Sequence, residues 1–106
     1  MRILVGSRKV TISRPLGALI RKQVLERLQR FGAAIVAAEV RLTDRNGRRG
    51  GADKRCRIAV TMAGGGLVVC EDVRANPKIA VMHALSRIEN AIQKQLRSLA
   101  DAAAPH

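Results

Sequence analysis

Apolar and polar residues along this chain recur with two periods, one typical of strands and the other of helices. Residues 1–5 form a short strand-like run, which residues 10–12 extend after a glycine. The spacing then becomes helical to about residue 30, with Ser13 as the cap, Pro15 in the first turn and Gly32 as the stop. The predicted buried stripe of this helix consists of Leu16, Ile20, Val24, Leu28 and Phe31.

Three more strands are predicted between residues 33 and 73, because apolar side chains there recur at every second position. In the strand at 33–43 the predicted inward residues are Val36, Ala38, Val40 and Leu42, and the outward ones are Glu39, Arg41 and Thr43. In the next strand the predicted inward residues are Cys56, Ile58, Val60 and Met62, and the outward ones are Arg55, Arg57 and Thr61. The glycines at 64–66 predict a hairpin turn that places Met62 opposite Leu67 and leads into a return strand at 67–73.

A second helix is predicted from Asn76 and Pro77 to about Leu99. Its apolar stripe consists of Val81, Leu85, Ile88, Ile92 and Leu96. The order β-α-β-β-β-α predicts an α+β fold in which two helices pack on one face of a four-stranded, largely antiparallel sheet. Residues 1–99 are expected to form this single domain, and residues 100–106 a disordered tail.

The charge of the chain limits the kinds of molecule that it is expected to bind. Its formal net charge is +12 in 106 residues, with fifteen arginines against five lysines. Such a balance suits nucleic acid, an anionic membrane surface or an acidic protein. The cations spread over two helices, a loop and strand faces rather than one amphipathic helix, and the guanidinium fork matches phosphate geometry. Nucleic acid is therefore favoured, and the apolar runs, all shorter than a membrane span, predict a cytoplasmic protein.

The loop at 43–56 concentrates cations around three glycines. Exposed backbone N–H groups and cationic side chains on such a loop can hold phosphate oxygens. The cations that we assign to phosphate binding in it are Arg45, Arg48, Arg49, Lys54 and Arg55. The alternative is a surface connection whose glycines only make the turn, and a loop of this length is also consistent with ordering only on RNA.

Cysteine, histidine and acidic residues offer no catalytic or metal-binding set. The predicted hairpin register places Cys56 and Cys70 on opposite faces of the sheet, and Cys56 is interpreted as a small buried apolar residue. His83 is predicted on a helix surface. The acidic residues are expected to form turns and to offset neighbouring arginines: Asp44, Asp53, Glu71 and Asp72. We therefore predict no enzyme activity, no cofactor, no metal and no small-molecule substrate.

Four segments resemble the family of ribosome hibernation-promoting factors and ribosome-associated translation inhibitors, also called the sigma-54 modulation family. They are LQRF at 28–31, AAEVRL at 37–42 leading into DRNG, GGADKRC at 50–56, and RIENAIQKQL at 87–96. The resemblance covers residues 1–99 and rests on the order and spacing of these segments. The chain is too short for the second, dimerising domain of long members, so it resembles the short class, with a monomer slightly favoured. An aromatic residue that many members carry is replaced here by NPK at 76–78.

The resemblance implies binding to rRNA of the small ribosomal subunit near the decoding centre, and inhibition of translation in stationary or starved cells. By matching position, it implies rRNA contacts from Arg8, Lys9, Arg21, Lys22, Arg55, Arg57, Lys78, Arg87 and Lys94. The strands carry no aromatic residues on which bases could stack, which excludes the RNA-recognition-motif mode. Two alternatives stay open: a general RNA- or DNA-binding protein without ribosome preference, and an interaction module for an acidic protein.

Overall fold

Four strands and two α-helices follow one another in the predicted order in a computed structural model, which describes residues 1–44 and 53–103. A short 3-10 helix follows the first α-helix. The elements are β1 (Arg2–Arg8), α1 (Arg14–Leu28), the 3-10 helix (Gln29–Ala34), β2 (Ile35–Asp44), β3 (Lys54–Met62), β4 (Gly66–Arg74) and α2 (Pro77–Ala103). Arg45, Arg48 and Arg49 of the predicted phosphate-binding loop lie outside the described residues.

The strands form one sheet in the order β1-β2-β3-β4. β1 runs parallel to β2, and the other two neighbouring pairs are antiparallel. β1 and β2 can be parallel because α1 carries the chain back across the sheet between them. The predicted α+β fold and its largely antiparallel sheet are confirmed. None of the helices in the described segments is long and apolar enough to cross a membrane.

The core lies between the sheet and the two helices. α1 contributes Ile20, Val24 and Leu28, all 1% exposed or less. α2 contributes its predicted stripe, of which Leu96 alone is only partly buried: Val81, Leu85, Ile88, Ile92 and Leu96. The sheet contributes alternate residues of β2 and β3, such as Val40 and Ile58. The helices therefore cover one face of the sheet, and no helix of the described residues lies on the opposite face.

An arginine cluster joins the two helices at the edge of this core. The Arg27 guanidinium donates to the Glu89 carboxylate and, at 2.8 Å, to the Ser86 hydroxyl. Arg30 reaches the other Glu89 oxygen at 3.3 Å. Because Glu89 is only 18% exposed, its charge is compensated by this pairing rather than by water. We interpret Arg27 and Arg30 as residues that stabilise helix packing.

The ends of several elements differ from the predicted ones. α1 ends at Leu28 and continues as the 3-10 helix, where Gly32 has φ +54° and ψ −131°, a conformation that side chains strongly disfavour. β1 runs through Gly6 to Arg8, so residues 10–12 are not its continuation and instead cross toward α1. α2 reaches Ala103 rather than ending near Leu99, and residues 104–106 of the predicted tail lie outside the described residues.

Two predictions of strand register were wrong. Val36 was expected to face inward, but the pairing shifts between Ile35 and Ala37, which leaves Ile35 buried and Val36 52% exposed. In the β3–β4 hairpin, Met62 pairs with Gly66 rather than Leu67. The turn closes one residue earlier because Gly64 and Gly65 both take positive φ, +86° and +93°. A shift of one residue moves every side chain of β4 to the other face.

Candidate nucleic-acid interface

The uncovered face of the sheet carries a group of arginines at the end where β1 stops. Register places Arg8, Thr43 and Arg55 side by side in one row, and Arg41 beside Arg57 in the next. Side chains of a strand alternate between the faces, so these four arginines share the face opposite the buried core. We call Arg8, Arg41, Arg55 and Arg57 the sheet arginines.

This group keeps like charges next to each other. Arg41 lies directly across from Arg57, a cross-strand pair that destabilises a sheet. Glu39 and Glu71 partly compensate it, at 3.8 Å from Arg41 and 3.7 Å from Arg57. Arg8 and Arg55 form no ion pair with any described residue. The sheet arginines therefore keep a net positive charge that does not stabilise the fold. Such a charge would attract a polyanion.

The predicted RNA-binding residues divide into two groups in the structure. Arg8, Arg55 and Arg57 lie on the uncovered sheet face. The others that the structure describes, apart from Lys54, belong to the helical side or to the β1–α1 connection: Lys9, Arg21, Lys22, Lys78, Arg87 and Lys94. Lys9 has φ +61°, which is rare for a residue with a side chain and marks a sharp change of direction after β1. The structure thus does not bring all the predicted cations onto one surface.

Lys54 and Arg87 are predicted RNA contacts that have intramolecular partners at the margin of the sheet. The Lys54 ammonium lies 3.0 Å from Asp53 Oδ1 and 3.2 Å from Asp44 Oδ2. The hydrogen bond to Asp53, together with Asp44, raises the pKa of Lys54. Arg87 donates to the Glu71 carbonyl oxygen at 3.0 Å and lies 3.9 Å from Asp72 Oδ1. Lys54 and Arg87 therefore form contacts within the protein at the margin of the sheet. Their contact with RNA stays a prediction.

Glu71 and Asp72 offset arginines as predicted, whereas Asp44 and Asp53 both pair with Lys54. Asp72 is 6% exposed and accepts from Arg74 Nε at 2.8 Å. Arg74 in turn lies 3.3 Å from Nδ1 of His83, an exposed residue of α2 as predicted. Asp53 is 1% exposed, and its Oδ2 accepts no hydrogen bond from the part of the chain that the structure describes. In the segments that the structure describes, no three His, Cys, Asp or Glu residues are grouped as metal ligands.

The two cysteines face the same side of the sheet, contrary to the prediction. Cys56 pairs with Asp72, and Cys70 pairs with Ile58, so both point toward the helices. The one-residue shift of the hairpin is the reason. Both are free thiols, and burial raises the pKa of Cys56 to about 12. Cys56 is fully buried within the apolar core, which confirms its interpretation as a small core residue.

Arg41 is the member of the sheet arginines that was not predicted as an RNA contact. The signal for it was present, because the alternation of residues 33–43 had placed it on the outward side. What the pattern did not show is its neighbour: only the β2–β3 register puts Arg41 beside Arg57.

The chain is similar to known proteins over nearly its whole length. The model of the family described as "Sigma 54 modulation protein / S30EA ribosomal protein" matches residues 3–100. No curated protein matches the chain. Several solved structures share its fold, among them two whose sequences are 18% and 26% identical to it.

The first of these is a ribosomal subunit interface protein from Coxiella burnetii, with a TM-score of 0.78, covering 92% of this chain and 99% of that one. The second is the N-terminal domain of Thermus thermophilus Protein Y, with a TM-score of 0.72, covering 89% and 98%. The first, at its low identity, supports the fold alone, whereas the family model spans the sheet and both helices. This chain therefore belongs to the sigma 54 modulation protein/S30EA ribosomal protein family, as its sequence segments indicated.

Proposed function

We propose that this protein binds rRNA of the small ribosomal subunit near the decoding centre and inhibits translation by occupying that space. The observation that supports it most is the group of sheet arginines on a face that neither α1 nor α2 covers, in a member of a family described as ribosomal. The protein would act in the cytoplasm, where ribosomes are.

Attachment in this proposal is electrostatic. Guanidinium groups hold phosphate oxygens through paired N–H donors, and binding releases counterions from the RNA. Arg8 and Arg55 would contact phosphates first, since neither has an acidic partner among the described residues. Arg41 and Arg57 would exchange their distant contacts with Glu39 and Glu71 for phosphate. Selectivity for the ribosome would come from the shape of a folded RNA groove.

Stacking of bases on aromatic rings is not part of this mechanism. Phe31 is the single aromatic residue of the chain. It is partly buried against the core, and the Arg30 guanidinium lies 4.6 Å from the centre of its ring. The proposed recognition therefore depends on phosphate and ribose contacts, as is usual for structured RNA.

A cell-free translation assay tests the inhibitory part of the proposal. We expect the purified protein to reduce synthesis of a reporter as its concentration approaches that of the ribosomes. Prior loading of the ribosomes with tRNA should weaken the inhibition, since both would compete for the same space. Undiminished synthesis with the protein in large molar excess would contradict inhibition by occlusion.

A further inference from the structure

A cleft lies between the edge of the sheet and the first turns of α1. β1 is the first strand of the sheet, so one of its edges has no neighbouring strand from residues 1–44 and 53–103. The N-terminal half of α1 stands beside this edge and leaves a cavity of about 480 Å³. This volume falls within the usual range for small-ligand sites, roughly 300–1,000 Å³. It exceeds what a lone phosphate needs.

The polar lining of the cleft is cationic. Arg14 and Arg21 stand on its helical side, and Ser7 contributes a hydroxyl from β1. Arg14 is exposed and pairs with no acidic residue in the segments described. Arg21 donates through Nη1 to the Ile3 carbonyl oxygen at 3.1 Å, which fixes its side chain across the edge of β1. No acidic residue is among the lining residues or in the first turn of α1.

Apart from Ser13, whose hydroxyl caps α1, the remaining lining is apolar or glycine. Val5, Ile12 and Ala18 supply apolar surface. Gly17 brings the α1 backbone close to the connection, since a Cβ there would meet Ile12 Cγ2 at 3.6 Å. The free edge of β1 adds backbone donors and acceptors to this wall. A flat heterocycle with polar edges fits an apolar wall beside unpaired backbone groups, and an anionic group fits the two arginines.

We propose that this cleft binds one unstacked nucleotide of the RNA. Its phosphate would lie on Arg14 and Arg21, and its base would lie against Val5, Ile12 and Ala18. The inference rests on the proposed function, because it takes RNA as the source of the nucleotide. It assigns a role to Arg14, which had no predicted function, and it places Arg21 in a pocket rather than on an open surface.

NMR titration of the isotope-labelled full chain, of 11.5 kDa, tests the proposal. The probes are the four nucleoside 5′-monophosphates, ribose 5-phosphate and inorganic phosphate. We expect at least one nucleotide to cause saturable shifts of the amides of residues 5–7 and 12–18, with about tenfold tighter binding than phosphate. Equal effects of nucleotide and phosphate, or shifts spread over all basic surfaces, would overturn it.

Two substitutions with matched controls make the test specific. Ala18→Leu fills the cleft with a good helix-forming residue at an exposed position, and Ala100→Leu makes the same exposed change on α2. Arg14→Gln removes one charge from the cleft, and Arg97→Gln removes one from α2. We expect Ala18→Leu and Arg14→Gln to abolish the saturable shifts and the two controls to preserve them. Unchanged nucleotide binding by Ala18→Leu would remove the cleft from recognition.

Competition with a short oligoribonucleotide shows whether the bound nucleotide comes from RNA or from a free metabolite. A short single strand should compete with the mononucleotide for the same amides. Mononucleotide binding without such competition would overturn the assignment to RNA. Failure of the cleft and failure of the proposed function are also distinguishable. Ribosome binding with no nucleotide site would leave the function standing and refute the cleft alone.

Discussion

Changing Arg55 and Arg57 together to glutamate is expected to weaken binding to small ribosomal subunits by about a hundredfold at moderate salt. Two phosphate contacts are lost, and two negative charges then face the RNA. The salt dependence of binding should also fall, by about one unit of slope for each lost contact. Fluorescence anisotropy of the labelled protein with purified subunits, over a series of salt concentrations, measures both quantities.

The fold should survive this double change. Both side chains lie on the uncovered face of β3 and are only partly buried, so neither contributes to the core. Glu71 would then lie near a second carboxylate, which costs less than about 1 kcal/mol at a solvated site. The matched control is the single change Arg97→Glu on α2, compared with Arg55→Glu. Equal weakening by these two single variants would mean that binding follows net charge rather than the sheet arginines.

Ile88→Ala is expected to lower the free energy of unfolding by about 3 kcal/mol. Ile88 lies in the middle of α2 and is fully buried, with Leu85 and Ile92 on the same stripe. Aliphatic side chains fill nearly all of this core, so removing three carbon atoms leaves a cavity in a tightly packed layer. Urea denaturation followed by circular dichroism measures the loss.

A matched substitution on the same helix separates packing from helix propensity. Ile79 is 46% exposed near the start of α2, so Ile79→Ala removes the same atoms from a solvated site. Its cost should stay within about 0.5 kcal/mol. A domain of this size is stable by only about 5–15 kcal/mol, so the loss at Ile88 is readily measured. Similar midpoints for the two variants would contradict the assignment of the α2 stripe as the centre of the core.

Much of the fold could be predicted from the sequence, because packing one layer of helices on one sheet requires apolar residues at regular intervals along each element. The stripe of α2 and the alternation of β3 correspond to single buried faces, and the structure confirms both. Ser13 caps α1 as predicted, accepting from the Leu16 amide at 3.2 Å. The sequence was sufficient to predict these features, since each helix cap or buried face depends on residues that are near in sequence.

Register could not be predicted, because the sequence near each shift allows more than one pairing. Gly64–Gly66 are three consecutive glycines, so several turn closures are free of steric cost, and packing selects among them. At the start of β2, Ile35 and Val36 are both apolar, and alternation alone does not show which one is inside. The exposure of Val36 and the common face of the two cysteines follow from these two choices.

The candidate site was predictable residue by residue but not as a surface. Outward positions of β2 and β3 were visible in the alternation, which correctly placed Arg41, Arg55 and Arg57 away from the core. Their grouping with Arg8 depends on the parallel pairing of β1 with β2, a long-range contact. The partners of Lys54 and Arg87 were also invisible, because ion pairs across elements leave no periodic signal.

Cosedimentation in sucrose gradients with separated small and large ribosomal subunits tests the central claim most directly. The measurement is repeated as salt is raised and with tRNA present as a competitor. We expect the protein to stay with small subunits at near-physiological salt, to leave them when tRNA is added, and to bind large subunits far more weakly. Equal binding to both subunits and to unrelated duplex RNA, or complete loss at modest salt, would contradict a site near the decoding centre.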